Sequence, residues 1–252
     1  MLLPVQPTIV YGPVRSRRLG RSLGINLLPT SAKACTFDCV YCQYGWTPAE
    51  PPDRPTGRGL PSLAEVLAAV EGALASLAEP PAYLTFAGNG EPTLHPAFAE
   101  IVHSVTALRD RLAPSCRTAV LSNASRLDDP RVREALAVLD VRIMKLDAGT
   151  EETFRRYNRP FATTTLASVL AGLASLGGVT VQTLLAEGPA GNCEPGEIRS
   201  WIENVVTLRP LAVQLYTLDR GCPCDAIGPV GRRLLEAIRD VLVSAGIPAE
   251  AY

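Results

Sequence analysis

The sequence predicts an α/β protein built as a single-domain, partial (β/α)6 TIM-like barrel. Three observations carry that prediction. Short apolar runs and helical patterns alternate six times along 252 residues, at a spacing of roughly thirty residues, as a parallel sheet with helices outside it requires. Six units are too few to close an eight-stranded barrel, so the sheet should stay open and leave a cleft. No low-complexity stretch or linker interrupts the pattern, and a chain of this length can bury one sizeable core. The expected layout is an N-terminal extension over 1–22 with an arginine-rich loop, the partial barrel over 23–245, and a tail over 246–252.

Each element has a local reason. Gly12 and Pro13 mark the stretch from Tyr11 to Arg21 as loop. Its Arg15, Arg17, Arg18 and Arg21 suit either a clamp for an anionic substrate or a merely solvated loop. The apolar run within Ser22–Leu28 is the first strand. After Cys42, the Pro- and Gly-rich excursion from Gly45 to Pro61 carries Arg54 and Arg58 at the surface. Ser62 with Glu65 forms a capping box for a helix that keeps its apolar period to about Ala78. Pro80-Pro81 stop it, and Ala82–Ala87 is the second strand. A helix from Pro96 to Leu112, a strand over Thr118–Asn123, a helix from Pro130 to Leu139 and a strand over Val141–Asp147 follow. Helical segments cover Thr150–Tyr157 and Thr164–Leu176. Strands at Val179–Leu185 and Leu211–Leu218 flank a helix from Pro195 to Leu208, and a last helix runs from Pro229 to Ala245, closed by Gly246.

Composition narrows the function classes. The net charge of −1 argues against a broad basic face for nucleic acid. No apolar run reaches the ~18 residues of a membrane span, and the N-terminus lacks the charged start of a signal peptide. A cytoplasmic location is expected. Seven cysteines, an odd number and unevenly bunched, read as ligands in a reducing compartment rather than a disulfide framework. Lys33 and Lys145 are the only lysines, which makes Lys145, in an apolar strand, conspicuous.

The densest chemistry is Cys35-Thr36-Phe37-Asp38-Cys39-Val40-Tyr41-Cys42. Thiolates are soft ligands for zinc, copper(I) or iron–sulfur clusters. A structural zinc site wants four ligands, and no fourth lies nearby, since His95 and His103 are far downstream. Three cysteines instead suit a cluster, normally held by four, that keeps one iron open. In parallel α/β architecture, reactive groups gather beyond the carboxyl ends of the strands. The second strand ends in Gly88-Asn89-Gly90-Glu91, where two glycines allow close backbone approach and Glu91 can accept from an ammonium; a plain turn is the competing reading. The fourth strand ends in Lys145 and Asp147, on one face, as an ion pair or as cofactor contacts. Thr85, Ser122, Asn123, Gln182, Gln214 and Tyr216 point to a wetted or ligand-lined lumen, or to a hydrogen-bonded one. Cys116 should be a small buried hydrophobe at the opposite end. Cys193, Cys222 and Cys224 share the active end, as free thiols or, less simply, as ligands of a second metal.

The cysteine spacing, with Tyr41 before the last thiol, resembles the signature of the radical S-adenosylmethionine (radical SAM) superfamily. Gly88-Asn89-Gly90-Glu91 resembles its glycine-glycine-glutamate element, with Asn89 in the middle and an extra glycine. Gly12-Pro13-Val14, Ser16-Arg17-Arg18-Leu19-Gly20, Phe86 to Leu94 and Lys145-Leu146-Asp147-Ala148-Gly149 look like a subgroup related to wyosine-type tRNA-modifying enzymes. The resemblance implies a 4Fe-4S cluster on Cys35, Cys39 and Cys42, with S-adenosylmethionine chelating the open iron. It further implies cofactor contacts from Tyr41, Gly88, Asn89, Gly90, Glu91, Ser122, Asn123, Lys145 and Asp147, with Tyr41 by the adenine. An electron from a flavodoxin or ferredoxin would break the sulfonium to methionine and a 5′-deoxyadenosyl radical, which takes hydrogen from a substrate. A peptide or protein, or a small molecule, is favoured over a tRNA base. A non-catalytic iron–sulfur electron carrier is the alternative.

Overall fold

The computed structural model describes residues 1–48, 59–161 and 163–252. Arg54 and Arg58 of the expected excursion lie outside the described residues. The chain forms β1 (Val10–Ser16), β2 (Gly20–Ile25), α1 (Leu63–Ser76), β3 (Tyr83–Phe86), α2 (Phe98–Leu112), β4 (Arg117–Ser122), α3 (Pro130–Val138) and β5 (Val141–Lys145). There follow α4 (Glu151–Thr153), which runs into a π-turn (Phe154–Asn158), then α5 (Leu166–Leu176), β6 (Thr180–Glu187), α6 (Pro195–Leu208), β7 (Ala212–Thr217), β8 (Gly228–Pro229), α7 (Arg232–Ser244) and β9 (Ala249–Ala251). β2 to β7 pair in sequence order and all in parallel. β1 and β9 form the two ends of the path, so the barrel is open. Among the described residues no helix is long and apolar enough to cross a membrane.

The predicted punctuation accounts for most boundaries. Ser62 and Glu65 form the capping box of α1, and Thr165 with Ser168 does the same for α5. Asp129 caps α3 ahead of Pro130. The helices bury Val66, Val70, Ile101, Val102, Val105, Leu136, Leu173 and Val205 against the outer face of the sheet. Each such side chain contributes roughly 1.5–3 kcal/mol of transfer free energy.

Two edges differ from expectation. The stretch from Tyr11 to Arg21 is not a loop: β1 pairs antiparallel with β2, with a register irregularity between Tyr11 and Val14. The first strand accordingly spans Gly20–Ile25 rather than Ser22–Leu28. The Tyr11 ring covers Gly24, its cross-strand partner, where an added Cβ would lie 2.0 Å from the ring. The tail over 246–252 is not a tail throughout, because β9 adds in parallel to β7. Ala-Glu-Ala has no strand pattern of its own; backbone bonds such as Tyr252 N–H to Leu215 C=O (2.9 Å) supply it. The helix expected over Thr150–Tyr157 begins as α and widens into the π-turn.

The loop after β2 is docked at both ends. Ala34 bridges Gly90 in parallel, through Ala34 N–H to Asn89 C=O (2.8 Å) and Glu91 N–H to Ala34 C=O (3.1 Å). Further on, Asp38 and Val40 donate to the Asn158 and Tyr157 carbonyls of the π-turn at 3.2 and 3.0 Å, and Phe37 sits edge-on to Phe154 at 5.4 Å. Gly90 lies at φ +139, and a Cβ there would fall 1.7 Å from the Ala34 carbonyl oxygen. Its glycine is needed against protein backbone rather than against a ligand.

At the far end of the sheet, Asp140 accepts from the Thr118 N–H (2.7 Å), the Thr118 hydroxyl (3.0 Å) and Arg109 (2.8 Å). Burial alone would raise its pKa, but the Thr118 N–H and Arg109 outweigh that and hold it below the ordinary carboxylate value.

Gly90→Ala should therefore cost about 3 kcal/mol and expose the loop at 31–48 to protease; a variant with unchanged melting temperature and digestion contradicts this docking. Asp140→Asn should cost about 1 kcal/mol at neutral pH, since the site is one-third exposed. A depressed native pKa stabilises only above the unfolded value of about 4 and loses that as pH falls through the native one. The difference between variant and wild type should thus shrink in acid; an equal difference at pH 7 and pH 3 would refute it.

Candidate metal and cofactor site

Cys35, Cys39 and Cys42 are free, half-buried thiols in the docked loop. The loop itself is not outside the core: Phe37 and Val40 are buried, and Cys35 and Cys39 pack against the main apolar cluster. Each sulfur has its own nitrogen neighbour. The Asn123 amide lies 3.5 Å from Cys35 Sγ, and the Asn158 amide 3.5 Å from Cys39 Sγ. The buried Lys33 ammonium stands beside Cys42, within the field of all three thiols. It also donates to the Gly45 carbonyl (2.8 Å) and pairs with Asp38 at 3.6 Å.

Burial pushes the Cys35 thiol up, with Cys39 adding to the effect. Burial and then the Asp147 charge push Cys39 up to about 12. Metal-free, these groups stay protonated; bound to a cation they become thiolates and better acceptors for the N–H groups aimed at them. Among the described residues, no three His, Cys, Asp or Glu side chains converge closely enough to share one ion. Three thiols with no fourth ligand beside them suit a cluster with an open corner, whereas a structural zinc site wants four. Among the described residues Asn158 Oδ1, on the amide that faces Cys39, is buried without a partner. The donor set therefore fits an iron–sulfur cluster.

The glycine loop is divided in its loyalties. Gly90 and Glu91 line the cavity. Gly88, at φ +153, faces the Asn26 side chain, where a Cβ would lie 2.5 Å from Oδ1. Asn89 is fully buried and turned to the chain: its amide donates to the Gln6 and Pro29 carbonyls, and its Oδ1 accepts the Gln6 N–H. That side chain braces the N-terminal segment and has no free donor or acceptor pair for a cofactor. Glu91 is also heavily engaged. It accepts from the Thr93 N–H and hydroxyl, the Ser122 hydroxyl and the Asn123 N–H at 2.6–3.1 Å. A carboxylate has about four lone-pair sites, so an ammonium meets a group already bonded to β4. Burial pushes Glu91 above its ordinary value against those donors.

Lys145 and Asp147 form an ion pair at 2.8 Å. Asp147 also accepts from the Tyr41 hydroxyl (2.5 Å), the Asn158 amide (2.9 Å) and the Leu184 N–H (2.9 Å). Lys145 donates to the Tyr216 hydroxyl at 3.0 Å. Burial opposes its charge, but Asp147 and then Tyr216 outweigh burial and hold it as an ammonium. Tyr41 and Lys145 line the cavity; Asp147 stands behind them.

Of these groups, Cys35, Tyr41, Cys42, Gly90, Glu91 and Lys145 line one cavity of about 690 Å³ at the carboxyl ends of the strands, within the size range of small-molecule sites. Thr85, Ser122, Asn123, Gln182 and Tyr216 line it, as do Arg15, Arg17 and Arg18. Several lumen groups also bond to each other: Thr85 to Ser22 at 2.7 Å, and Gln182 to Gln214 at 2.9 Å. The lumen is thus both ligand-accessible and internally hydrogen-bonded. Cys116 is buried. Cys193 packs on the main core, while Cys224 packs on the small cluster of Val40, Tyr157, Leu184 and Ala186. The structure does not gather Cys193, Cys222 and Cys224 as ligands, and all three are free among the described residues. Asn158 and Lys33 were missed by sequence reasoning. Lys33 could have been found by its rarity; Asn158, in a turn more than a hundred residues from Cys39, carried no local signal.

The family model for the radical SAM superfamily matches residues 30–183. A UPF0026 protein of Helicobacter pylori is 33% identical over 220 residues, which cover 84% of this chain and 67% of the relative. Among solved structures, TYW1 with a lysine-pyruvate adduct bound aligns with a TM-score of 0.63 at 17% identity, over 89% of this chain and 73% of TYW1. Streptococcus suis SuiB bound to S-adenosylmethionine aligns with a TM-score of 0.67 at 12% identity, over 91% of this chain and 50% of SuiB. At such identities the structural likeness speaks for the fold alone. The chain belongs to the radical SAM superfamily, whose cofactors are a 4Fe-4S cluster and S-adenosylmethionine, and within it to the UPF0026 family.

Proposed function

We propose that this protein is a radical SAM enzyme whose cluster is held by Cys35, Cys39 and Cys42 and whose substrate enters the adjoining cavity. The observation that carries the reading is the set of three half-buried thiols, each with its own nitrogen neighbour, of which Cys35 and Cys42 line that cavity. When bound, the cluster and S-adenosylmethionine would supply one chemistry, reductive cleavage of the sulfonium to methionine and a 5′-deoxyadenosyl radical able to take hydrogen from a substrate. The protein binds, orients and excludes quenching reactions.

Its own residues have separable tasks. Asn123 and Asn158 fix the sulfurs of Cys35 and Cys39, and Lys33 offsets thiolate charge from the protein side. Lys145, kept charged by Asp147, is a hydrogen-bond donor rather than a base or nucleophile. Tyr41, anchored through its hydroxyl to Asp147, offers its ring to a planar group such as an adenine. Gly90 and Ser122 bring backbone and hydroxyl to the same wall, with Glu91 bracing them. A flavodoxin or ferredoxin in the cytoplasm is the expected reductant. A peptide or protein, or a small molecule, suits a cavity in a chain of net charge −1 better than a tRNA base does.

Anaerobically reconstituted protein given dithionite and S-adenosylmethionine should form 5′-deoxyadenosine; a cluster-loaded protein that forms none is an electron carrier, and the radical reading fails. Cys39→Ala should lose iron and 5′-deoxyadenosine while its circular dichroism stays that of a folded chain; full iron content would show the ligand assignment wrong. Asn158→Leu should keep the cluster but lower its reduction potential by roughly 50 mV, because an N–H donor at sulfur favours the more negative reduced state. An unmoved potential would leave Asn158 with a packing role only.

A further inference from the structure

The wall of the cavity carries an unbalanced charge. Arg15, Arg17, Arg18, Lys145 and Arg220 line it against two carboxylates, Glu91 and Asp219. Both carboxylates are engaged: Glu91 by donors from β4 and the turn after it, and Asp219 by Arg17 at 2.6 Å. Lys145 is matched by Asp147, and Arg220 donates to Gln43 at 3.1 Å. Arg15 and Arg18 have no carboxylate partner among the described residues.

Arg18 is nevertheless fixed in place. Its guanidinium lies over the Tyr216 ring at 4.3 Å from the centroid, with Tyr252 at 5.9 Å. Stacking on an aromatic face holds the planar group while leaving its edge N–H donors free for a two-pronged contact. Arg18 belongs to the β1–β2 hairpin, whereas Tyr216 lies on β7 and Tyr252 follows β9. The stack, and the Arg17–Asp219 pair beside it, therefore span the open seam of the barrel, at the edge of the cavity. The cationic groups converge into a cavity of about 690 Å³, on a chain whose net charge is −1. That is the pattern of a pocket for one small anion, not of a face for a polyanion.

We propose that Arg15 and Arg18 form a binding site at the barrel seam for the anionic group, a carboxylate or a phosphate, of a small-molecule substrate. Naming the ligand a substrate rests on the radical reading above; the anion site rests on the charges and the stack. The test is calorimetric titration of oxidised, reconstituted protein saturated with S-adenosylmethionine, at low ionic strength, with pyrophosphate and with citrate. One of the two probes should bind at one per chain, and which one does so names the phosphate or the carboxylate. Arg15→Ala and Arg18→Ala should each weaken that binding about tenfold or more, and Arg18→Lys, which keeps the charge but loses the planar stack, should fall between. Arg131→Ala, an equal loss of charge on the exposed face of α3, should leave it unchanged.

The proposal is overturned if neither probe binds saturably, if Arg131→Ala weakens binding as much as Arg18→Ala, or if a probe binds only when S-adenosylmethionine is left out, which would make the arginines part of the cofactor site. It is equally overturned if unfractionated tRNA binds in an Arg15- and Arg18-dependent way while both small anions do not. The titration needs no turnover. Arginine-dependent binding without 5′-deoxyadenosine formation would sink only the radical reading, and the converse would sink only the anion site.

Discussion

The rest of the site depends on a two-bond backbone bridge between Ala34 and the glycine loop after β3. It lets a loop without regular structure be held as firmly as a strand. The near approach leaves no room for a side chain at Gly90, and the bond from Glu91 N–H to Ala34 C=O puts the first cysteine one residue from a fixed point. The π-turn grips the other side of the loop through Asp38 and Val40. Three thiols are in this way held by two distant parts of the sheet, β3 and β5, before any metal arrives.

Two buried carboxylates extend that order inward. Glu91 ties the turn after β3 to the end of β4, and Asp147 ties the end of β5 to the cysteine loop, the π-turn and β6. Leaving either set of donors unpaired would cost roughly 3–5 kcal/mol, the usual penalty for breaking a buried charged network. Glu197 repeats the device one step further out, accepting from the Gly149 and Thr150 N–H groups. The strand ends that would face a cofactor are thus stiffened by acids whose own oxygens point back into protein. Preorganisation of this kind keeps a reactive site from having to reorganise when its ligands bind.

Much of this was legible in the residues. The alternation of strand and helix is local, so periodicity, the Ser62–Glu65 capping box and the Pro80-Pro81 stop revealed it. The three thiols are adjacent in sequence, and their number alone pointed to an incompletely ligated cluster. What stayed hidden depends on partners far away. β1 looks like loop because Gly12, Pro13 and Arg15 mask it, and only pairing with β2 makes it a strand. β9 is three residues without β-branched or aromatic character. Asn89 was read as facing a ligand, yet its amide is spent on Gln6 and Pro29; Gly90 both lines the cavity and admits the Ala34 carbonyl, two roles that look the same in sequence. Asn158 meets Cys39 only because the chain departs from α geometry in the π-turn, a departure often found at functional sites.

The proposed chemistry requires one iron that the three cysteines would leave open to S-adenosylmethionine. Electron paramagnetic resonance of the dithionite-reduced protein, before and after addition of S-adenosylmethionine, reads that vacancy directly. A reduced-cluster signal whose g-values change on addition of S-adenosylmethionine is the predicted result. A spectrum that S-adenosylmethionine leaves untouched, or purified protein that holds zinc in place of iron, would contradict it.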